Sequence, residues 1–209
     1  MTKPIIPTNA GVLSTLTDYV FVPLAIMAVF FLTCLLMLNR MEKAYNIQKK
    51  KLWLLFATLA GIAVILTSGI SLLAVKGLLL CLILVFASIA DIDRREVPDF
   101  VPLMILLTAF IGFEIENLPG MIIGAAAVFV PQLAIAMLKP GTYGGADIKI
   151  TTALAFLLGA ERGVFGIVLG LAIAVIVMVI LQNAKKLPRN TFFPLVPFFA
   201  VGGIIAYLI

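Results

Sequence analysis

Apolar runs close to the length of a bilayer crossing recur along almost the whole chain, parted by short segments that carry most of the charge. Nothing else constrains the fold as strongly. A backbone in hydrocarbon must satisfy its own N–H and C=O groups, and a helix does so within one segment. The runs predict about eight transmembrane helices, near 19–39, 52–70, 72–91, 99–113, 118–138, 147–160, 163–182 and 191–209. With 63% of residues hydrophobic and 12% charged, a soluble domain with a large core is excluded. The expected class is therefore all-α and polytopic. One integral-membrane domain covers 1–209, with N-terminal helices in 1–76 and motif-bearing helices in 77–209. Residues 1–17 are polar with a single Lys3, and they do not have the basic start of a cleavable signal peptide.

Orientation follows from the placement of Lys and Arg, since cytoplasmic loops retain positive charge. With the N-terminus outside, Arg40, Lys43, Lys49, Lys50, Lys51, Arg94, Arg95, Lys139, Lys149, Lys185, Lys186 and Arg189 fall inside. Only Lys3, Lys76 and Arg162 fall outside, while Glu114, Glu116 and Glu161 occupy solvated outer turns. The net charge of +5 is thus explained by topology and by contact with anionic membrane lipid, and nucleic acid is not an expected partner. The chain has no His, which excludes Ser-His-Asp catalysis and His-based metal sites. Cys34 and Cys81 lie inside apolar runs without CxxC spacing and are expected to pack.

Two acidic motifs stand where apolar and charged segments meet: Ala90-Asp91-Ile92-Asp93-Arg94-Arg95-Glu96-Val97-Pro98-Asp99 and Gly144-Gly145-Ala146-Asp147-Ile148-Lys149. Ionisable groups at that depth are costly, so their default reading is functional. An even number of expected crossings separates them, which puts both on the cytoplasmic side where they can meet. Pro140 to Ala146 cannot continue a helix, and its glycines allow an extended peptide to approach the Asp147 carboxylate. The bland alternative is that Asp147 only caps the helix it opens. Asp91 instead ends a helix, where negative charge is disfavoured. Asp99, after Pro98, is expected to cap; Asp93 and Glu96 to form solvated pairs with Arg94 and Arg95; Lys149 to snorkel; and Gly166 with Gly170 to pack helices closely.

Asp91 followed by Val97-Pro98-Asp99, then Gly144-Gly145-Ala146-Asp147-Ile148-Lys149 running into Thr152 to Gly159, resembles the prepilin peptidase family. That family holds the type IV prepilin and archaeal preflagellin leader peptidases, membrane aspartyl proteases of the GxGD type. The Pro194 to Gly203 segment resembles their last helix, and the likeness runs through most of residues 85–209. The resemblance implies catalytic roles for Asp91 and Asp147, with Gly144, Gly145, Ala146, Lys149, Asp93 and Pro98 as substrate-loop or supporting residues. It also implies pilin-like or flagellin-like precursors as partners, cut at the cytoplasmic face of the cell membrane just before their hydrophobic helix, with no metal and no cofactor. Ala146 stands where glycine is commoner, which leans toward the archaeal branch. The loop near 39–51 lacks the paired cysteines of the larger bacterial enzymes that also N-methylate, so cleavage without methylation is expected.

Two close carboxylates cannot both ionise easily, so one is expected to hold a proton, and helix polarity seats that proton on Asp91. Two other classes also use membrane aspartates. A proton- or cation-coupled transporter would place them beside glycine-broken helices and would cut nothing. A prenyltransferase would hold magnesium with acid-rich motifs denser than Asp91-x-Asp93.

Overall fold

The structure, a computed structural model, describes residues 20–45, 47, 50–139, 144–185 and 193–209. Among them are eight α-helices and no strand. They are α1 (Val22–Ala44), α2 (Lys50–Ser68), α3 (Leu72–Arg94), α4 (Phe100–Ala109), α5 (Leu118–Leu138), α6 (Gly145–Leu158), α7 (Ala160–Lys185) and α8 (Val196–Leu208). Each overlaps one of the eight expected segments, so the all-α, polytopic class holds. Pro140 to Tyr143, residues 1–17 and the expected start of the last helix at 191 lie outside the described residues.

Length divides the helices into two kinds. Five stretches are long and apolar enough to cross a membrane: Val22–Ala44, Lys50–Ser68, Leu72–Arg94, Ile115–Leu138 and Ala160–Ala184. By contrast α4, α6 and α8 have only 10, 14 and 13 residues. At 1.5 Å per residue they reach roughly 15 to 21 Å, against about 30 Å of hydrocarbon. All eight apolar runs thus appear as helices, three of them shorter than a full span, and α4 still runs back along α3 far enough for the Ala109 carbonyl at its end to meet Lys76 near the start of α3. Helix α4 stops at Ala109 rather than near 113, because the chain turns through Gly112 at φ +62.

Helices α4 and α8 pack on α3, whose apolar window is 61% buried, against 17% for both α1 and α2, while α6 packs on α4, α5 and α7. Leu84 of α3, Val101 and Ile105 of α4, Ile150 and Leu154 of α6 and Phe199 of α8 are fully enclosed in one core. A second cluster joins α1, α2 and α3 through Cys34, Leu38, Ala57, Val85 and Ile89. Cys34 and Cys81 are free and buried, as packing residues should be.

Gly166 and Gly170 perform the close packing expected of them, with Gly202 as their partner. A Cβ on Gly202 would lie 2.2 Å from the Gly166 carbonyl oxygen, and one on Gly170 would lie 2.7 Å from that of Phe198. Helices α7 and α8 thus touch backbone to backbone, which small residues permit.

Candidate functional site

Helix α3 carries Asp91 in its last turn, with the side chain 7% exposed. The helix is stopped by Arg95, at φ 57 in the left-handed region, whose N–H bonds the Asp91 carbonyl at 3.0 Å. A non-glycine residue there costs about 1 kcal/mol. The Arg95 guanidinium also interacts electrostatically with the Asp91 carboxylate. Arg94 points the other way, donating to the Ala44 carbonyl and stacking 4.3 Å over the Tyr45 ring, which ties the end of α1 to the end of α3.

The Asp91 carboxylate does not stand alone at the end of its own helix. Its Oδ2 accepts the Val196 N–H at 3.0 Å, and the Leu195 N–H also donates to the carboxylate. These are free donors of the first turn of α8, where Pro197 contributes none. Asp91 therefore caps another helix, and the positive end of that helix faces it. Only Pro194 and Pro197, bracketing Leu195-Val196, hinted at these donors in the sequence.

Asp147 lies outside the five long spans, in the first turn of α6. The helix opens at Gly145, two residues earlier than expected, so Gly144 is the capping position and Asp147 is the third helical residue. From there its carboxylate reaches back to accept the Gly144 N–H, the acid half of a capping box. A Cβ on Gly144 would sit 2.9 Å from Asp147 Oδ2, so glycine here lets the carboxylate fold back closely. The capping and functional readings of Asp147 are compatible, since the same hydrogen bond does both.

The two aspartates lie near enough for their charges to interact. Burial first, and the nearby Asp91 charge second, push the Asp147 carboxyl up to about 6, and the Gly144 N–H only partly offsets them. Beneath Asp147, the Thr151 hydroxyl lies 2.8 Å from the Asp147 carbonyl and 2.8 Å from Gln132 Oε1. Gln132 and Thr151 are both buried, so a polar pair deep in the bundle holds the first turn of α6 against α5. Sequence reading missed both, although a lone Gln in an apolar helix was the available signal.

The supporting residues divide. Gly144, Gly145, Ala146 and Pro98 line a cavity of about 480 Å³ beside the pair, together with Arg94, Arg95, Glu96 and Asp99, so its charge is mixed. Asp99 does not cap α4, as it had been expected to: its backbone is already helical and its side chain makes no capping bond. Instead its Oδ1 accepts Lys149 Nζ at 2.7 Å, which also corrects the expectation that Lys149 reaches for the headgroups. Asp93 lies 3.8 Å from Arg94 Nε, a loose, exposed pair of the kind expected.

Residues 78–181, which include both aspartates, match a family model described as the type IV leader peptidase family. A curated relative, the prepilin leader peptidase/N-methyltransferase of Bacillus subtilis (strain 168), is 28% identical over 149 residues, covering 67% of this chain. The chain spans 58% of that relative's length. No solved structure matches.

Proposed function

We propose, for a chain that belongs to the type IV leader peptidase family, that it is a membrane-embedded aspartyl endopeptidase. It removes the short basic leader from pilin-like or flagellin-like precursors at the cytoplasmic face. The observation that carries the reading is the electrostatic pairing of Asp91 with Asp147, two carboxylates from separate helices at one end of the bundle. The concentration of Lys and Arg toward the segments around this end supports its cytoplasmic placement.

Helix polarity alone seats the shared proton on Asp91, but the hydrogen bonds favour the reverse. Asp91 faces two N–H donors of α8 and the Arg95 charge, all of which suit an anion. Asp147 is the carboxyl whose proton is held, up to about pH 6. In the proposed reaction a water lies between the two. The Asp91 carboxylate takes one proton from it as its oxygen attacks the scissile carbonyl, and the Asp147 carboxyl hydrogen-bonds the developing oxyanion. Asp147 then gives its proton to the leaving amine as the C–N bond breaks. Proton exchange through water restores the starting state, the pair titrating as a unit.

The cavity beside the pair fits an extended peptide whose main chain runs past Gly144 and Gly145. The cysteines of this chain are buried at positions 34 and 81, away from the 39–51 loop, which supports cleavage without N-methylation.

The test is cleavage of a precursor bearing a basic leader and a hydrophobic helix by the purified chain in EDTA. Asp91→Asn and Asp147→Asn should each lower the rate by roughly a thousandfold, the scale of a lost acid or base. Cutting that survives both substitutions would remove the pair from catalysis. If a broad panel of leaders is left uncut, the transporter reading gains.

A further inference from the structure

The charge distribution leaves Lys76 and Arg162 as exceptions on the side opposite the aspartates, and the fold brings these exceptions together. Two neighbouring cavities of about 380 and 390 Å³ sit at that end of the bundle, sharing Lys76, Leu157, Leu158 and Arg162 on their walls. Lys76 is 9% exposed, and its Nζ donates to the Ala109 carbonyl that closes α4, at 3.0 Å. That bond uses one of three N–H groups. Arg162 donates to the Ile209 main-chain oxygen at 3.0 Å, using one of five. Among the described residues neither cation makes an ion pair.

The two cavities differ in sign. Glu114 and Glu116 line the first, so its charge is balanced across the space. The second has no acidic side chain on its wall, and the Thr67 and Tyr207 hydroxyls there already donate to the Ala63 and Leu73 carbonyls, which leaves the two cations as its charged donors. Both cations keep spare N–H donors beside this second space, and a group carrying negative charge and several acceptor oxygens would occupy them. A helix end at the membrane boundary is also where headgroups lie.

We propose that Lys76 and Arg162 form a phosphate site in the second cavity, and that a phosphate-bearing lipid headgroup occupies it. The site is separate from the aspartate pair, and its test does not use cleavage. The full chain in detergent is titrated with phosphatidylglycerol, with diacylglycerol lacking the phosphate, and with inorganic phosphate, reading melting temperature and lipid retention in native mass spectrometry. Phosphatidylglycerol should be retained and raise the melting temperature, diacylglycerol should not, and Arg162→Gln should weaken retention roughly tenfold. Stabilisation by inorganic phosphate to the same extent would keep the site and make free phosphate its source. Lys76→Gln should act in the same direction. Because it also removes the bond that closes α4, Arg162→Gln decides the matter if that variant unfolds. Equal retention by wild type and Arg162→Gln, or no response to either phosphate compound, overturns the proposal.

Discussion

At one end of the bundle the starts of α6 and α8 turn main-chain N–H groups onto Asp147 and Asp91. At the other, the ends of α4 and α8 turn carbonyls onto Lys76 and Arg162. Both ends hold charged groups by the same device with the sign reversed, because a helix offers unpaired donors where it begins and unpaired acceptors where it stops. The difference is in what remains. At the acidic end two like charges come within electrostatic reach of one another. At the basic end the cations retain spare donors and face open space. Helix α8 reaches both ends, its first turn at Asp91 and its C-terminal capping residue, Ile209, at Arg162.

The largest expected effect comes from moving that helix. Gly202→Ala places a Cβ 2.2 Å from the Gly166 oxygen and forces α7 and α8 apart, at a cost of about 3 kcal/mol. Unfolding in detergent should report that loss, and cleavage should fall at least about tenfold as the Val196 N–H leaves Asp91. If cleavage is retained in the folded variant, the α8 N–H groups do not hold the base.

Next comes a change confined to the acidic end. Asp147 has its carboxyl raised to about 6 from an ordinary 3.8, so it contributes stability that is fully present below pH 4 and lost as pH rises through 6. Between pH 4 and 7 the wild type should lose about 2 kcal/mol through this group, and Asp147→Asn should show a flatter profile and be the more stable protein at pH 7. Parallel profiles would mean that folding does not raise the Asp147 carboxyl. The rate of the wild type should likewise decline above pH 6, as the acid form of Asp147 is lost.

The smallest effect tests whether charge at the acidic end matters without burial. Lys149 and Asp99 form a 2.7 Å pair, but their side chains are 58% and 83% exposed. Asp99→Asn should change the melting free energy by less than about 1 kcal/mol, and added salt should erase even that.

How much of this was legible along the chain can be judged from particular residues. The apolar runs located all eight described helices, since each run is a local property and hydrocarbon leaves the backbone few choices. Asp91 and Asp147 stood out because carboxylates are costly there. Gly166 and Gly170 announced close packing by their spacing, but their partner Gly202 did not, as it lies on another helix. Asp99 was misjudged because a proline before an acid signals a cap only when no cation waits across the fold, and here Lys149 does.

The sequence by itself determined the solvent, the helical class and the two aspartates as the residues to watch, all from composition and order along one strand of chain. Only the tertiary structure decided which groups face them. The Val196 N–H reaches Asp91 from a distant part of the chain, and the Gly144 N–H reaches Asp147 only because α6 starts two residues early. Hydropathy sums over neighbours in sequence, whereas the seat of a proton depends on donors, charges and burial gathered from every helix that packs nearby. That is why the aspartates could be named before the fold was known, and the division of labour between them could not.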